Sequence, residues 1–208
     1  MPIFGWGNSD SDDEFMDLED HERLEAARAF LETMNKLYRG QIWHNAVDRD
    51  LYLTVDYRGQ HRRIEVDVED GTILLRIKLA SAVQSISLEL DDPMEVEAIF
   101  RHADEFNRFM RSDDRWSPDT IYVPIDERAY FDATPKSEGL ANDLLAGPNR
   151  QSVVNLIEAL EDRELHSVAT HDDTWTVWFD NNIRDVDPYE VMKVGDDILQ
   201  LSQFLMRE

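Results

Sequence analysis

From Asp50 to Leu90 the chain alternates apolar and polar residues with a period of two, and this stretch constrains the fold more than any other. Leu51, Leu53, Val55 and Tyr57 fall on one side of a first run, with Tyr52, Thr54 and Asp56 opposite. Arg58-Gly59 offers a tight reversal, and Ile64, Val66 and Val68 share a face in the next run, opposite Arg63, Glu65 and Asp67. Asp70-Gly71 is a second hairpin signal, because glycine reaches positive φ without a steric cost. Ile73, Leu75, Ile77 and Leu79 then alternate with Leu74, Arg76 and Lys78, and Ile86, Leu88 and Leu90 form a fourth run. Strands of this kind cannot bury an oily face alone, so helices or a second sheet must cover it.

The helical segments that could do so flank the meander. His21 to Arg39 carries Leu24, Ala27, Phe30, Leu31, Met34, Leu37 and Tyr38 at helical spacing, with Gly40 as a stop. Asp92-Pro93-Met94-Glu95 reads as a capped start, and Val96, Ile99, Phe100, Ala103, Phe106 and Met110 follow as a stripe. Ile121, Val123 and Ile125 alternate, Ala129 to Ala133 can return as a hairpin partner, and Pro124 suits an edge strand. Beyond the Pro- and Gly-punctuated stretch from Thr134 to Arg150, the order is a helix around Val153 to Leu160, a hairpin, and a helix. The hairpin pairs Leu165–Thr170 with Trp175–Phe179 around His171-Asp172-Asp173, and the last helix follows Asp187-Pro188-Tyr189-Glu190.

The expected fold is therefore α+β. Residues 1–20 read as a flexible acidic tail, residues 21–135 as a domain built on an antiparallel meander covered by helices, and residues 136–208 as a smaller helix-hairpin-helix unit. The chain has no cysteine, so disulfides, thiolate metal sites and a cysteine nucleophile are excluded together. No apolar run approaches the roughly 18 residues of a membrane span, and no signal peptide is visible, so the expected location is cytoplasmic.

The net charge of −24 argues against partners with a phosphate backbone and against anionic membranes. It fits a solubilising surface, adaptation to high salt, or a basic protein partner, with mimicry of DNA as the extreme case.

Three passages carry a family likeness: Ile64-Glu65-Val66-Asp67 leading to Ile73-Leu74-Leu75-Arg76, then Glu105-Phe106-Asn107-Arg108-Phe109, then Thr120-Ile121-Tyr122-Val123. With the order helix, antiparallel strands, helix, hairpin, the stretch from His21 to Ala133 resembles type III secretion chaperones and YbjN-like proteins. That resemblance implies a non-enzymatic protein that binds another polypeptide, often as a dimer. Those chaperones lack the extra C-terminal unit seen in this chain.

No phosphate loop, nucleophile elbow, zinc helix or calcium loop is present, so no cofactor is implied. His166, His171, Asp172 and Asp173 are the nearest approach to a metal set, and a metal-dependent enzyme using acidic residues and His171 is the alternative from another class. Two surfaces are candidates for a partner. One is the outer face of the meander, with Tyr52, Thr54, Arg63, Leu74, Arg76 and Lys78; the other is the heptad-like stripe Val191, Val194, Ile198, Leu201 and Leu205, which would serve a homodimer. Trp43, and one of Trp175 and Trp178, could be exposed anchors.

Overall fold

A computed structural model describes residues 18–44, 51–68, 71–110, 120–179, 183 and 186–206. The expected tail lies almost wholly outside the described residues, as do the turn at Asp70 and the break from Ser112 to Pro118. The element order is α1 (Leu18–Tyr38), β1 (Gln41–His44), β2 (Leu51–Tyr57), β3 (Gln60–Val66), β4 (Ile73–Leu90), α2 (Pro93–Met110), β5 (Ile121–Pro124), β6 (Ala129–Ala133), α3 (Glu138–Leu145), α4 (Asn149–Glu161), β7 (Leu165–Phe179) and α5 (Val191–Leu201), closed by a short 3-10 turn. The seven strands form one antiparallel sheet, ordered β1-β2-β3-β4-β6-β5, with β7 paired to β4. The fold is α+β.

β4 is the axis of this sheet. The third and fourth apolar runs are not separate strands but one strand of 18 residues. Its first part pairs with β3 on one edge, its last part pairs with β6, and β7 runs antiparallel along the opposite edge. The stretch expected to be a C-terminal hairpin is likewise one strand, β7. The physical reason is shared. Between the pairs Lys78–Thr174 and Ile86–Thr170 the register slips, so β4 carries a bulge where its alternation lapses at Ala80-Ser81-Ala82. Asp172 in β7 takes φ 50° at the same level. A bulge and a turn both interrupt a period of two, and here the strands continue through it. The bulge also keeps the core face constant, since buried side chains pass from Ile73, Leu75 and Ile77 to Ile86 and Leu88.

One face of the sheet is covered by helices. Ala27, Phe30, Leu31 and Met34 of α1 are buried over β2, and Leu140, Leu144, Val153, Leu156, Ile157 and Leu160 bring α3 and α4 into the same core. α5 closes the layer with Val191, Met192 and Ile198, and Trp175 donates from its indole nitrogen to Ser202 Oγ at 2.8 Å. α2 lies on the other face, over the far half of the sheet: Phe100 meets Tyr130 edge-on at 6.1 Å, and Tyr130 alternates with the core residues Ala129 and Phe131. The cap read at Asp92 is present, its Oδ1 accepting from Met94 N at 2.8 Å and Glu95 N at 3.0 Å.

Two local features carry more than the pattern implied. Arg39, not Gly40, takes the left-handed conformation that ends α1, with φ 54°. Gly40 is needed for space, because a β-carbon there would overlap the Thr54 carbonyl and Val55. Arg62 stands on the core side among Ile64 and Val66 and is 1% exposed. Its guanidinium lies 4.7 Å over the Tyr57 ring, donates to Gln60 Oε1 at 2.8 Å, and pairs with Asp196 of α5, which also takes Arg58 at 2.7 Å. α5 is thus tied to the β2–β3 hairpin by a partly buried ion pair.

Asp196→Ala should lower unfolding free energy by about 3–5 kcal/mol, because it removes the counter-ion of the buried Arg62. Adding Arg62→Met in the same chain should restore much of that loss, as read from urea midpoints. Gly40→Ala should cost about 1–3 kcal/mol through overpacking. Gly139→Ala, where an added carbon meets nothing within 4 Å, should not destabilise α3.

Candidate functional site

The hairpin turn Arg58-Gly59, with φ 52° and 77°, fixes the register of β2 on β3. From it the outer face follows in cross-strand rows. One row is Trp43, Tyr52, Glu65, Leu74 and Trp178; the next is Gln41, Thr54, Arg63, Arg76 and Thr176. The rows are two residues apart along each strand, roughly 7 Å. Lys78 follows one step further and pairs with Asp173 at 3.3 Å.

The sheet brings together all six residues proposed for this face. Leu74 is buried at 8% and forms its floor, while Tyr52, Thr54, Arg63 and Arg76 are half-buried and Lys78 is exposed. Three further residues complete the surface. Trp43 is 44% exposed and stacks on Tyr52 with centroids 6.4 Å apart and an 18° tilt. Its indole nitrogen reaches Thr54 Oγ1 at 3.3 Å. Arg63 lies over the Tyr52 ring, its guanidinium carbon 3.8 Å from the centroid. Glu65 is nearly buried and lies 2.9 Å from Arg63 and 3.6 Å from Arg76. Trp178, half-buried, is the outer member of the tryptophan pair, and Trp175 is core. Counting from the Arg58-Gly59 turn would have placed Glu65 opposite Tyr52; nothing local in sequence places Trp178 beside Leu74, since β7 joins β4 from about a hundred residues away.

The C-terminal stripe is a correction. Val191, Ile198 and Leu205 are 1%, 0% and 0% exposed, Val194 is half-buried, and only Leu201, at 37%, stands out. The amphipathic face that looked available for a second copy is spent on this chain's own sheet, where Gly195 lies so close to Leu75 that a β-carbon would overlap it.

The histidines do not converge. His166 lies 3.7 Å from Glu89, whereas His171 Nδ1 is 2.9 Å from Ser85 Oγ and its Nε2 is 3.4 Å from Asp172. Serine, histidine and aspartate in a row are the parts of a hydrolytic relay. Here, however, the side chains of His171 and Asp172 are 77% and 80% exposed, so the carboxylate cannot hold the ring as a buried one does. Among the described residues, no three His, Asp or Glu side chains are grouped to hold a metal ion.

Under α2 the far half of the outer face has a different character. Asp132 is pushed up to about 6, by burial first and by Glu89 second. Burial also raises Tyr130 and Tyr122 above the usual phenol range. This half is acidic and lies under α2, while the near half presents aromatic rings and paired charges of both signs.

No family model matches the chain, and no curated protein matches it. Among solved structures, it is similar to the crystal structure of the mycobacterial trehalose monomycolate transport factor A, TtfA, at a TM-score of 0.46 and 10% identity, over 88% of this chain and 95% of that one. A likeness at that score carries no argument about fold or function. No helix among the described residues is long and apolar enough to cross a membrane.

An acid whose folded pKa is raised binds its proton more tightly in the native state. The stability it contributes is therefore complete below its ordinary value of 3.8 and lost as pH rises through about 6. Asp132→Asn should accordingly raise the melting temperature at pH 8 and leave it unchanged at pH 4, measured beside the parent chain.

Proposed function

We propose that this protein is a non-enzymatic binding module for another polypeptide, and that the partner meets the near half of the sheet's outer face. The observation that carries this reading is Trp43. It is a large aromatic side chain, 44% exposed, stacked on Tyr52 and continuous with Arg63. Tryptophan, tyrosine and arginine are the residues that dominate binding energy at protein interfaces. The other exposed large apolar side chains, such as Met94 and Tyr189, are not part of a comparable aromatic and arginine cluster among the described residues.

The core-facing helices leave this surface uncovered by α1, α3, α4 or α5, all of which pack on the opposite side. A rigid sheet also suits recognition, because its side chains are held in register and lose little freedom on binding. The reading agrees with what the resemblance to type III secretion chaperones implies, a protein that works by holding a client chain. The overall acidity then acts as a solubilising background, while the local chemistry of the face selects the partner.

Affinity capture from native lysate, at low and high salt, tests the reading when wild type is compared with Trp43→Ala/Tyr52→Ala. A partner retained by wild type should fall at least about tenfold with the double variant, since two truncated anchors remove about 2 kcal/mol or more. It should be unaffected by Leu201→Ala. Capture that ignores the double variant, or no capture at either salt concentration, would contradict a partner site on this face.

A further inference from the structure

The sheet ends in three strands, β1, β5 and β7, and they are not equally open. On β7 the consecutive residues Ser167 and Val168, and again Thr176 and Val177, are buried, so neither alternating set of its backbone groups stands free there. β5 is four residues long, lies against α3 and ends on Pro124, which has no N–H to offer. On β1, by contrast, Gln41, Trp43 and His44 are all exposed, and among the described residues nothing pairs with its outer edge. An open edge presents a row of backbone donors and acceptors that another strand satisfies.

The free groups of β1 have a definite register. In an antiparallel pair each residue turns its N–H and C=O both toward the neighbouring strand or both away, in alternation. The Gln41 carbonyl faces β2, where Thr54 Oγ1 donates to it at 3.4 Å. Gln41 and Trp43 therefore bond inward, and Ile42 and His44 turn their backbone groups outward. The side chains alternate as well. Trp43 lies on the outer face, whereas Ile42 and His44, opposite Leu53 and Leu51, lie on the side of α1. On that side a cavity of about 240 Å³ runs between α1 and β1, lined by Leu31, Ile42 and Leu51, with the exposed Arg28 and Glu32 at its rim. A cavity of roughly 150 Å³ holds a benzene ring, so this one admits a leucine or phenylalanine side chain. Its rim carries one charge of each sign, which suits a neutral occupant.

We propose that an extended segment of the partner polypeptide adds to β1 as a further strand, placing an apolar side chain in the cavity between α1 and β1. This rests on the reading of the outer face as the partner's site, and adds how the partner is held. Main-chain hydrogen bonds to Ile42 and His44 fix the segment, and its alternate side chains meet two different surfaces, the cavity on one side and Trp43 on the other. β1 is only four residues long, so these hydrogen bonds are few and the cavity supplies the selectivity. A strand added here continues the face that carries Trp43 and Tyr52. The net charge of −24 steers toward it a segment with basic flanks, and opposes a second copy of this chain.

Fluorescence anisotropy on the full chain tests strand addition. The probe is a labelled peptide, acetylated and amidated, in which Leu alternates with Thr between terminal Lys residues. Two further peptides carry N-methyl groups, one on the leucine amides and one on the threonine amides. Only one alternating set faces β1, so one methylated peptide should bind at least about tenfold more weakly than the parent and the other about as well. Loss with the leucine set marks an antiparallel strand, loss with the threonine set a parallel one, and either supports the proposal. Replacing the leucines by alanine should also cost at least about tenfold, because the cavity is left unfilled. His44→Pro, which deletes an outward N–H, should weaken binding about tenfold, whereas His44→Ala should retain it; circular dichroism establishes that the sheet is intact in both. Equal binding of the two methylated peptides, or no binding of the parent peptide, would overturn strand addition. A dimer of the free chain in sedimentation, lost with His44→Pro, would assign the edge to a second copy and overturn the partner strand. Capture that depends on Trp43 and Tyr52 but ignores His44→Pro would remove the edge and leave the face, while capture insensitive to Trp43→Ala/Tyr52→Ala would separately overturn the face.

Discussion

The fold depends on the pairing of β4 with β7. β4 is flanked on both edges along most of its length, by β3 and β6 in turn on one side and by β7 on the other. A strand buried on both edges leaves no unsatisfied ladder groups and can run through the centre of a core. The bulge near Ala80 to Gln84, opposite Asp172, lets one strand serve two half-sheets without turning its apolar side chains to solvent. Residues from beyond position 136 are built into the same sheet as the meander, and α5 is fastened to the β2–β3 hairpin by the Arg62–Asp196 pair.

That arrangement produces an asymmetry on the outer face. The far half is covered by α2 through Val96 and Phe100, and its acids are close enough that Asp132 holds its proton to about pH 6. The near half presents aromatic rings and arginines that are ordered by stacking and cation–π contact rather than by a covering helix. The same sheet thus has one half under α2 and, among the described residues, no helix over the other.

Much of this was legible in the sequence where the physics is local. Alternation identified the core faces of β2, β3 and both parts of β4, and the Asp92 cap was readable from four residues. The six outer-face residues were legible because strand period and a two-residue turn fix register. What failed was non-local. The lapse in β4 was read as a gap between two strands and His171-Asp172-Asp173 as a hairpin tip, because both break alternation, and the α5 stripe fitted an interface and packing within the chain equally, because amphipathicity does not say which surface covers it. Arg62 was hidden because charge usually marks the solvent side, and only the placement of Asp196 on α5 makes its burial tolerable. Trp178 came to the face through β7, a partner strand no nearby residue announces.

The most direct measurement follows indole N–H resonances by NMR as the captured partner is titrated onto the full chain. The account predicts shifts at the Trp43 and Trp178 indoles, with the Trp175 indole, bonded to Ser202, left in place. Perturbation concentrated on Trp175 and α5, with Trp43 unmoved, would contradict it.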